Sequence, residues 1–166
     1  PVMCAWFIVL AILGLLQVVA HPEVLGAINP ARALAFISAN QEKLPDAVIP
    51  IGVLSVMAAT PAQHEKLFWD LCFEPEPLQT VARNLRELRP DVVAIGLRNL
   101  QNMDYTNITT NLDAYRELIR TVRANSAASI VLGGGGFSVM PQRLMADLGA
   151  DYGIAGMARE INIAAA

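Results

Sequence analysis

The pattern of apolar and polar positions divides the chain near residue 32. Residues 1 to 20 read PVMCAWFIVLAILGLLQVVA and contain no charged side chain. A helix of that length spans about 30 Å, which matches the hydrocarbon core of a bilayer. The pattern therefore predicts an apolar, transmembrane-like helix. This helix stops before the helix-breaking sequence His21-Pro22-Glu23.

From residue 33 onward, short apolar runs typical of strands alternate with segments whose apolar residues recur every three or four positions, as in helices. The predicted strands are 33–38, 65–72, 91–97, 129–132 and 152–155, and the predicted helices are 50–60, 76–89, 112–124 and 141–148. The run Asp91 to Leu97 is almost wholly apolar, which predicts a strand covered on both faces. The alternation predicts an α/β fold, a flavodoxin-like doubly wound five-stranded parallel sheet preceded by the apolar helix.

Charge and cysteine usage exclude several classes of protein. The net charge is −3 and the arginines are scattered among acids, whereas a nucleic-acid-binding surface needs a dense basic face. Cys4 and Cys72 stand in unrelated contexts, too few for a disulfide framework or a zinc or iron-sulfur site. A reducing compartment fits best, so we expect a cytoplasmic domain, with membrane contact through residues 1–20.

In doubly wound folds, ligands bind beyond the carboxyl ends of the strands. The most informative loop there is the run Gly133 to Gly136. Glycines lack Cβ atoms, so a flat or phosphorylated ligand can lie against their backbone, although such a run can equally be a flexible turn. The run has neither the GxGxxG nor the GxxxxGK[ST] spacing, which disfavours dinucleotide and triphosphate ligands.

Catalytic groupings are sparse in this sequence. His21 and His64 are interpreted as solvated turn residues, because neither follows the carboxyl end of a predicted strand. Asp70 lies near other acids at the start of a predicted helix, where the helix dipole stabilises negative charge. No Ser-His-Asp set and no two-histidine metal spacing is visible, so no catalytic and no metal-binding residue is predicted. A binding module is favoured over a self-sufficient enzyme.

Four stretches of residues 33–156 carry a resemblance to a known family. They read FISANQEKLPDAVIPIGVLSVMAA, HEKLFWDLCFEPEP, RPDVVAIGLRNLQNMDYTN and SIVLGGGGFSVMPQRLMADLGADYGIAG. In this order they resemble the N-terminal cobalamin-binding domain of cobalamin-dependent radical SAM enzymes. The resemblance implies that cobalamin is the cofactor and that its binding residues are Ser38, Asn40, Arg98, Asn99, Asn102, Tyr105, Gly134, Gly135, Gly136 and Phe137.

The sequence departs from related patterns in two places. The loop after the first strand lacks DxHxxG, the motif that supplies a histidine to cobalt in other cobalamin domains. No CxxxCxxC motif for an iron-sulfur cluster is present either. The resemblance therefore implies a module that is not catalytic alone and that works with a radical SAM catalytic domain.

Residues 1–32 resemble a different family, the Kup-type potassium uptake permeases, through WFIVLAILGL and HPEVLGAINPARAL. The expected organisation is a permease-like fragment at 1–32, a cobalamin-binding domain at 33–156 and a tail at 157–166. One alternative is a membrane-anchored, permease-derived fragment whose α/β domain has lost its ligand. Another is a small α/β enzyme that uses a different nucleotide-like ligand.

Overall fold

The computed structural model describes residues 32–40, 49–62, 64–101, 110–156 and 162–163. The strands in these residues are β1 (Ala33–Ser38), β2 (Glu65–Asp70), β3 (Val92–Gly96), β4 (Ser129–Gly133), β5 (Tyr152–Ala155) and β6 (Asn162–Ile163). The helices are α1 (Ile51–Ala59), α2 (Pro77–Leu88), α3 (Leu112–Asn125), α4 (Gly135–Val139) and α5 (Pro141–Leu148), and a 3-10 turn covers Leu71–Phe73. Strand and helix alternate as predicted.

The strands form one sheet in the order β2-β1-β3-β4-β5-β6. The first five strands are parallel, and β6 is antiparallel to β5. The order 2-1-3-4-5 is that of flavodoxin-like folds. The parallel part of the fold prediction is therefore confirmed, but the sheet has six strands where five were predicted.

The prediction of a transmembrane-like helix before the sheet is corrected. Within the part of the chain that the structure describes, no helix combines the length and the apolar character that crossing a bilayer requires. Residues 1–20, on which the prediction rested, lie outside the described residues.

One face of the sheet carries the main core. Ile37, Ile95, Leu132 and Gly153 follow one another across four strands in register. The first three are buried, and a Cβ at Gly153 would come within 3 Å of Phe137 and Met145. Helices α4 and α5 therefore pack directly on this face, and α3 joins them through its buried apolar side.

The other face is covered by α1. A Cβ at Gly96 would clash with a methyl group of Val53, so this glycine lets α1 approach β3. Helix α1 contains no buried residue, and in β3 only Val93 and Ile95, which face the main core, are buried. In the described residues the side of β3 that carries Val92, Ala94 and Gly96 is half-buried, so β3 is fully covered on one face and partly covered on the other.

Local sequence signals set the helix ends. Proline occupies the first turn of α2 and of α5, where its missing N–H is not needed. Helix α5 ends at Gly149 with φ of 66°, and α2 ends at Arg89 with φ of 44°. Both are left-handed caps, which are easy for glycine and strained for arginine. These ends return the chain to the amino edge of the sheet, so each following strand runs parallel to the last.

Candidate cofactor site

The carboxyl ends of four strands lie side by side in register. Asp70 pairs with Ser38, Ser38 with Gly96, and Gly96 with Gly133. We call this line of residues the carboxyl edge. The chain leaves the sheet at this edge after β1, β3 and β4, so the topology brings the described members of the predicted site to one end of the sheet.

The glycine run after β4 packs against the loop after β3. The amide of Leu97 donates to the carbonyl of Gly133 at 2.8 Å, and the amide of Gly136 donates to the carbonyl of Leu97 at 2.9 Å. Gly134 has φ of +95°, and a Cβ there would lie 2.6 Å from the carbonyl oxygen of Leu97. At Gly136 the same oxygen would be 3.1 Å away. Two of the glycines are therefore required by backbone packing, a reason that the sequence analysis missed.

Gly135 differs from its two neighbours. Like Gly134 it is exposed, but the nearest atom to a Cβ at this position would be the Arg98 carbonyl oxygen at an ordinary 3.6 Å. Its φ lies outside the left-handed region. Gly135 is thus the glycine of this run whose outer side is open to a ligand.

Phe137 lies in the core. It is 0% exposed, and its ring fills the space beside Gly153 of β5. The short helix α4, which begins inside the glycine run and was not predicted, turns the ring inward. Phe137 therefore supports the glycine run from below.

The loop after β3 is held by α3. The hydroxyl of Tyr115 donates to the carbonyl of Asn99 at 2.6 Å, and the side-chain amide of Asn111 donates to the same oxygen at 3.2 Å. Asn99 is half-buried and Arg98 is exposed. The anchored carbonyl fixes the backbone of this pair at the carboxyl edge.

The loop after β1 begins beside the loop after β3. Ser38 is 6% exposed, and the amide of Ala39 donates to the carbonyl of Gly96 at 3.2 Å. Asn40 is half-buried at the end of the described segment. The segments at the ends of β1 and β3 thus supply polar groups along the carboxyl edge: the hydroxyl of Ser38, the guanidinium of Arg98, and the side-chain amides of Asn40 and Asn99.

Asn102 and Tyr105, also predicted for the site, lie outside the described residues. The residues on either side of this segment are joined, because Gln101 and Thr110 form an antiparallel bridge. The amide of Asn111 also donates to the carbonyl of Leu100 at 2.9 Å.

Ser138 is a contact that the sequence analysis missed. Its hydroxyl donates to the carbonyl of Gly134 at 2.9 Å and accepts a hydrogen bond from the amide of Gly156 at 3.0 Å. It ties the glycine run to the end of β5. The sequence offered one signal for this contact, since Ser138 follows Gly134 by four residues. A serine hydroxyl often donates to the backbone carbonyl four residues earlier.

His64 lies at the opposite, amino edge of the sheet, one residue before β2. It is 4% exposed, and neither ring nitrogen has a hydrogen-bond partner among the described residues. The prediction that His64 is a solvated turn residue is therefore wrong. His21 lies outside the described residues.

Charged groups with shifted pKa values also lie away from the carboxyl edge. Burial opposes ionisation of Asp151, but hydrogen bonds from Arg123 and from the amide of Ile130 outweigh it and lower the pKa of this carboxyl. Hydrogen bonds to Asp147 and Asp113 raise the pKa of Arg116.

A surface cavity of about 490 Å³ lies between α3 and α5, and its lining includes Arg116, Arg123 and Asp147. Among the described residues, no group of three or more His, Cys, Asp or Glu side chains is placed to hold a metal ion.

A flavodoxin-like sheet whose carboxyl edge combines an open glycine with polar loop residues defines a cofactor-binding α/β domain. Residues 38–166 match the family described as B12 binding domain. The chain belongs to this family, and its cofactor is cobalamin.

Two methyltransferases are similar to this chain over about three quarters of its length. The tryptophan 2-C-methyltransferase of Streptomyces laurentii is 33% identical over 129 residues, which cover 77% of this chain and 21% of that protein. The solved structure of the radical S-adenosylmethionine methyltransferase TsrM from Kitasatospora setae, with cobalamin and a [4Fe-4S] cluster bound, aligns with a TM-score of 0.65 at 27% identity. That alignment covers 76% of this chain and 22% of TsrM. The chain thus spans about a fifth of the length of these methyltransferases.

A third similarity concerns a short segment. The probable potassium transport system protein Kup 1 of Rhodopseudomonas palustris is 65% identical over 37 residues, which cover 22% of this chain and 6% of that transporter. The resemblance to both families is therefore confirmed, each for a different portion of sequence.

Proposed function

We propose that this chain holds cobalamin at its carboxyl edge and presents it to a radical SAM catalytic domain, without catalysing a reaction alone. The proposed cofactor contacts are Ser38, Asn40, Arg98, Asn99, Asn102, Tyr105, Gly134, Gly135 and Gly136, with Phe137 acting from the core beneath them. The open side of Gly135, beside the loop after β3, is the observation that carries this placement.

The described residues fit a corrinoid. Its macrocycle carries amide side chains around its rim, and hydroxyl, amide and guanidinium groups can hydrogen-bond to them. Ser38, Arg98 and Asn99 bring such groups to the carboxyl edge. Gly135 allows a large flat ligand to approach the backbone closely.

Cobalt is proposed to receive no histidine from this domain. His64 lies at the amino edge, opposite the cofactor loops, and the loop after β1 contains no histidine. The protein therefore acts on cobalamin by holding the macrocycle and its nucleotide tail. When bound, cobalamin supplies the organometallic chemistry, and the residues of this chain orient it.

The need for a catalytic partner rests on the relatives. The chain matches about a fifth of a tryptophan 2-C-methyltransferase and about a fifth of TsrM, a radical S-adenosylmethionine methyltransferase. We propose a division into residues 1–32 and a cobalamin domain that begins at residue 33, with a cytoplasmic location for the domain. The predicted separate tail at 157–166 is not kept, because β6 within it pairs with β5 and the family match extends to residue 166. The predicted membrane contact through residues 1–20 has no support in the described residues. Potassium transport is not proposed, because the match covers only 6% of the transporter.

A thermal-shift comparison tests the cofactor against the remaining alternative, a nucleotide-like ligand. Hydroxocobalamin should raise the Tm of the full chain, because a ligand that binds only the folded state stabilises it. Flavin mononucleotide and NAD should leave the Tm unchanged. A shift with either nucleotide and none with the corrinoid would contradict the proposal.

A second experiment tests the absence of catalysis. The cobalamin-loaded chain, given S-adenosylmethionine and a low-potential reductant, should cleave no more S-adenosylmethionine than free hydroxocobalamin does. Cleavage that depends on the chain alone would show a catalytic centre that this account lacks.

A further inference from the structure

Phe73 is a large apolar side chain that the domain leaves uncovered. It ends the 3-10 turn Leu71–Phe73 directly after β2, and it is 62% exposed, whereas Leu71 in the same turn is 1% exposed. Because β2 ends beside Ser38, Phe73 lies at the carboxyl edge. An exposed aromatic side chain at this edge has no role in the core.

Hydrogen bonds hold the turn that carries Phe73. The amide of Cys72 donates to the carboxylate of Asp70 at 3.3 Å, and the amide of Glu74 donates to the carbonyl of Leu71 at 3.3 Å. The carboxylate of Glu74 in turn accepts from the hydroxyl of Thr80 on α2 at 3.0 Å. The position of Phe73 is therefore fixed by its own turn and by the next helix.

Ile51 is a second uncovered apolar side chain at the same edge. It is the first residue of α1, it is 70% exposed, and the preceding Ile49 is 68% exposed. Helix α1 begins where the loop after β1 returns, and it then runs back toward the amino edge, where β2 starts. Its first residue is thus placed above the carboxyl ends of the strands.

Phe73 and the glycine run bound opposite sides of the carboxyl edge, and Ile51 lies between them, because Val53 two residues later reaches Gly96 at the end of β3. Phe73 follows β2, Gly135 follows β4, and β1 and β3 lie between them. Three strand spacings of about 4.8 Å separate β2 from β4 by about 14 Å. This span has the exposed Phe73 on one side, the open backbone of Gly135 on the other, and the exposed Ile51 near the end of β3.

We infer that Phe73 and Ile51 form an apolar side wall of the cobalamin site and contact the methyl-bearing rim of the macrocycle. The inference rests on the proposed placement of cobalamin at the carboxyl edge. A corrin presents methyl groups as well as amides at its rim, so it suits a site with polar loops and an apolar wall. Covering two large apolar side chains contributes to affinity in proportion to the apolar area removed from water.

Equilibrium dialysis of the full chain against hydroxocobalamin tests the side wall. Phe73→Ser and Ile51→Ser should each weaken binding about tenfold or more, because each removes most of a buried apolar contact. Phe73→Leu should keep most of the affinity, because it keeps an apolar side chain at the same place.

Two exposed apolar residues elsewhere provide matched controls. Leu88 and Val56 are each 45% exposed; Leu88 lies at the far end of α2, and Val56 lies beyond the middle of α1. Leu88→Ser and Val56→Ser should leave the affinity unchanged. Far-UV circular dichroism of all variants checks that the fold persists, as expected for substitutions of exposed side chains.

The outcomes separate the side wall from the proposed function. If the wild-type chain binds hydroxocobalamin and the Phe73 and Ile51 variants bind equally well, the side wall is wrong. If the control variants lose affinity to the same extent, the effect is not local and the inference also fails. If the wild-type chain does not bind at all, the proposed function fails together with the side wall.

Discussion

The hydroxyl group of Tyr115 donates a hydrogen bond of 2.6 Å to the backbone carbonyl of Asn99. Tyr115 is 2% exposed in α3, whereas Asn99 belongs to the loop at the carboxyl edge. A core residue thereby fixes a loop that is proposed to contact cobalamin. Rigid support of this kind lowers the ordering cost that a ligand would otherwise meet.

Tyr115→Phe removes this hydrogen bond and keeps the ring in the core. We expect the free energy of unfolding to fall by about 1 kcal/mol, the usual net value of one hydrogen bond. The affinity for hydroxocobalamin should fall severalfold, because the Asn99 loop loses its stronger anchor. Urea denaturation and equilibrium dialysis measure the two effects. Loss of stability with unchanged affinity would restrict Tyr115 to a purely structural role.

Gly135→Val places a branched side chain on the open side of the glycine run. The fold should persist, because the nearest atom to a Cβ there lies 3.6 Å away and φ is not left-handed. Binding of hydroxocobalamin should be lost, because the side chain fills the space that the ligand needs. Far-UV circular dichroism and a visible spectrum after gel filtration measure both. Retained affinity would remove Gly135 from the site.

Gly134→Ala is the matched control for this substitution. At φ of +95° and with a Cβ 2.6 Å from the Leu97 carbonyl oxygen, even a methyl group must displace the loop after β3. We expect a loss of about 1–3 kcal/mol in the free energy of unfolding, typical of a strained backbone position. Equal stability of the Gly134 and Gly135 variants would contradict the distinction between packing and ligand-facing glycines.

The strand and helix order could be predicted because periodicity reports directly on burial. The apolar run of β1 and the spacing of Val81 and Leu85 in α2 are examples. The partial cover of one face of β3 could not be predicted, since an apolar run looks the same whether a face is fully or partly packed. How far a neighbouring helix covers a strand is a property of the whole fold.

The glycine run marks the limit of sequence reasoning about the site. Its place after β4 was predictable from topology, but the different roles of Gly134 and Gly135 depend on where Leu97 lies across the sheet. The inward turn of Phe137 depends likewise on the space beside Gly153. Such contacts join residues far apart in the chain, and local pattern carries no signal for them.

Substituting the histidines should leave the corrin spectrum unchanged. His64 lies at the amino edge of the sheet, opposite the cofactor loops. His64→Leu keeps an apolar group in its buried position, and His21→Ala changes a residue before the domain. The visible and EPR spectra of the cobalamin-loaded variants should match those of the wild-type chain. A changed cobalt signal in either variant would overturn the proposal that no histidine of this chain ligates cobalt.

Asp151 gives the chain a defined sensitivity to acid. The folded state lowers the pKa of this carboxyl below its ordinary value of 3.8, so its stabilisation is present above that value and is lost as the pH falls through the folded-state pKa. Wild-type Tm should therefore drop as the pH falls below 3.8, and Asp151→Asn should show a smaller drop. The effect is modest because the side chain is 37% exposed. Identical pH profiles for the two proteins would contradict this role.

The most direct test of the account is the visible spectrum of the full chain after incubation with hydroxocobalamin and gel filtration. The account predicts that the corrin bands elute with the protein at one corrin per chain, and that Gly135→Val abolishes this co-elution while eluting at the same volume. Elution of the wild-type protein without corrin bands would contradict the assignment of this edge as a cobalamin site.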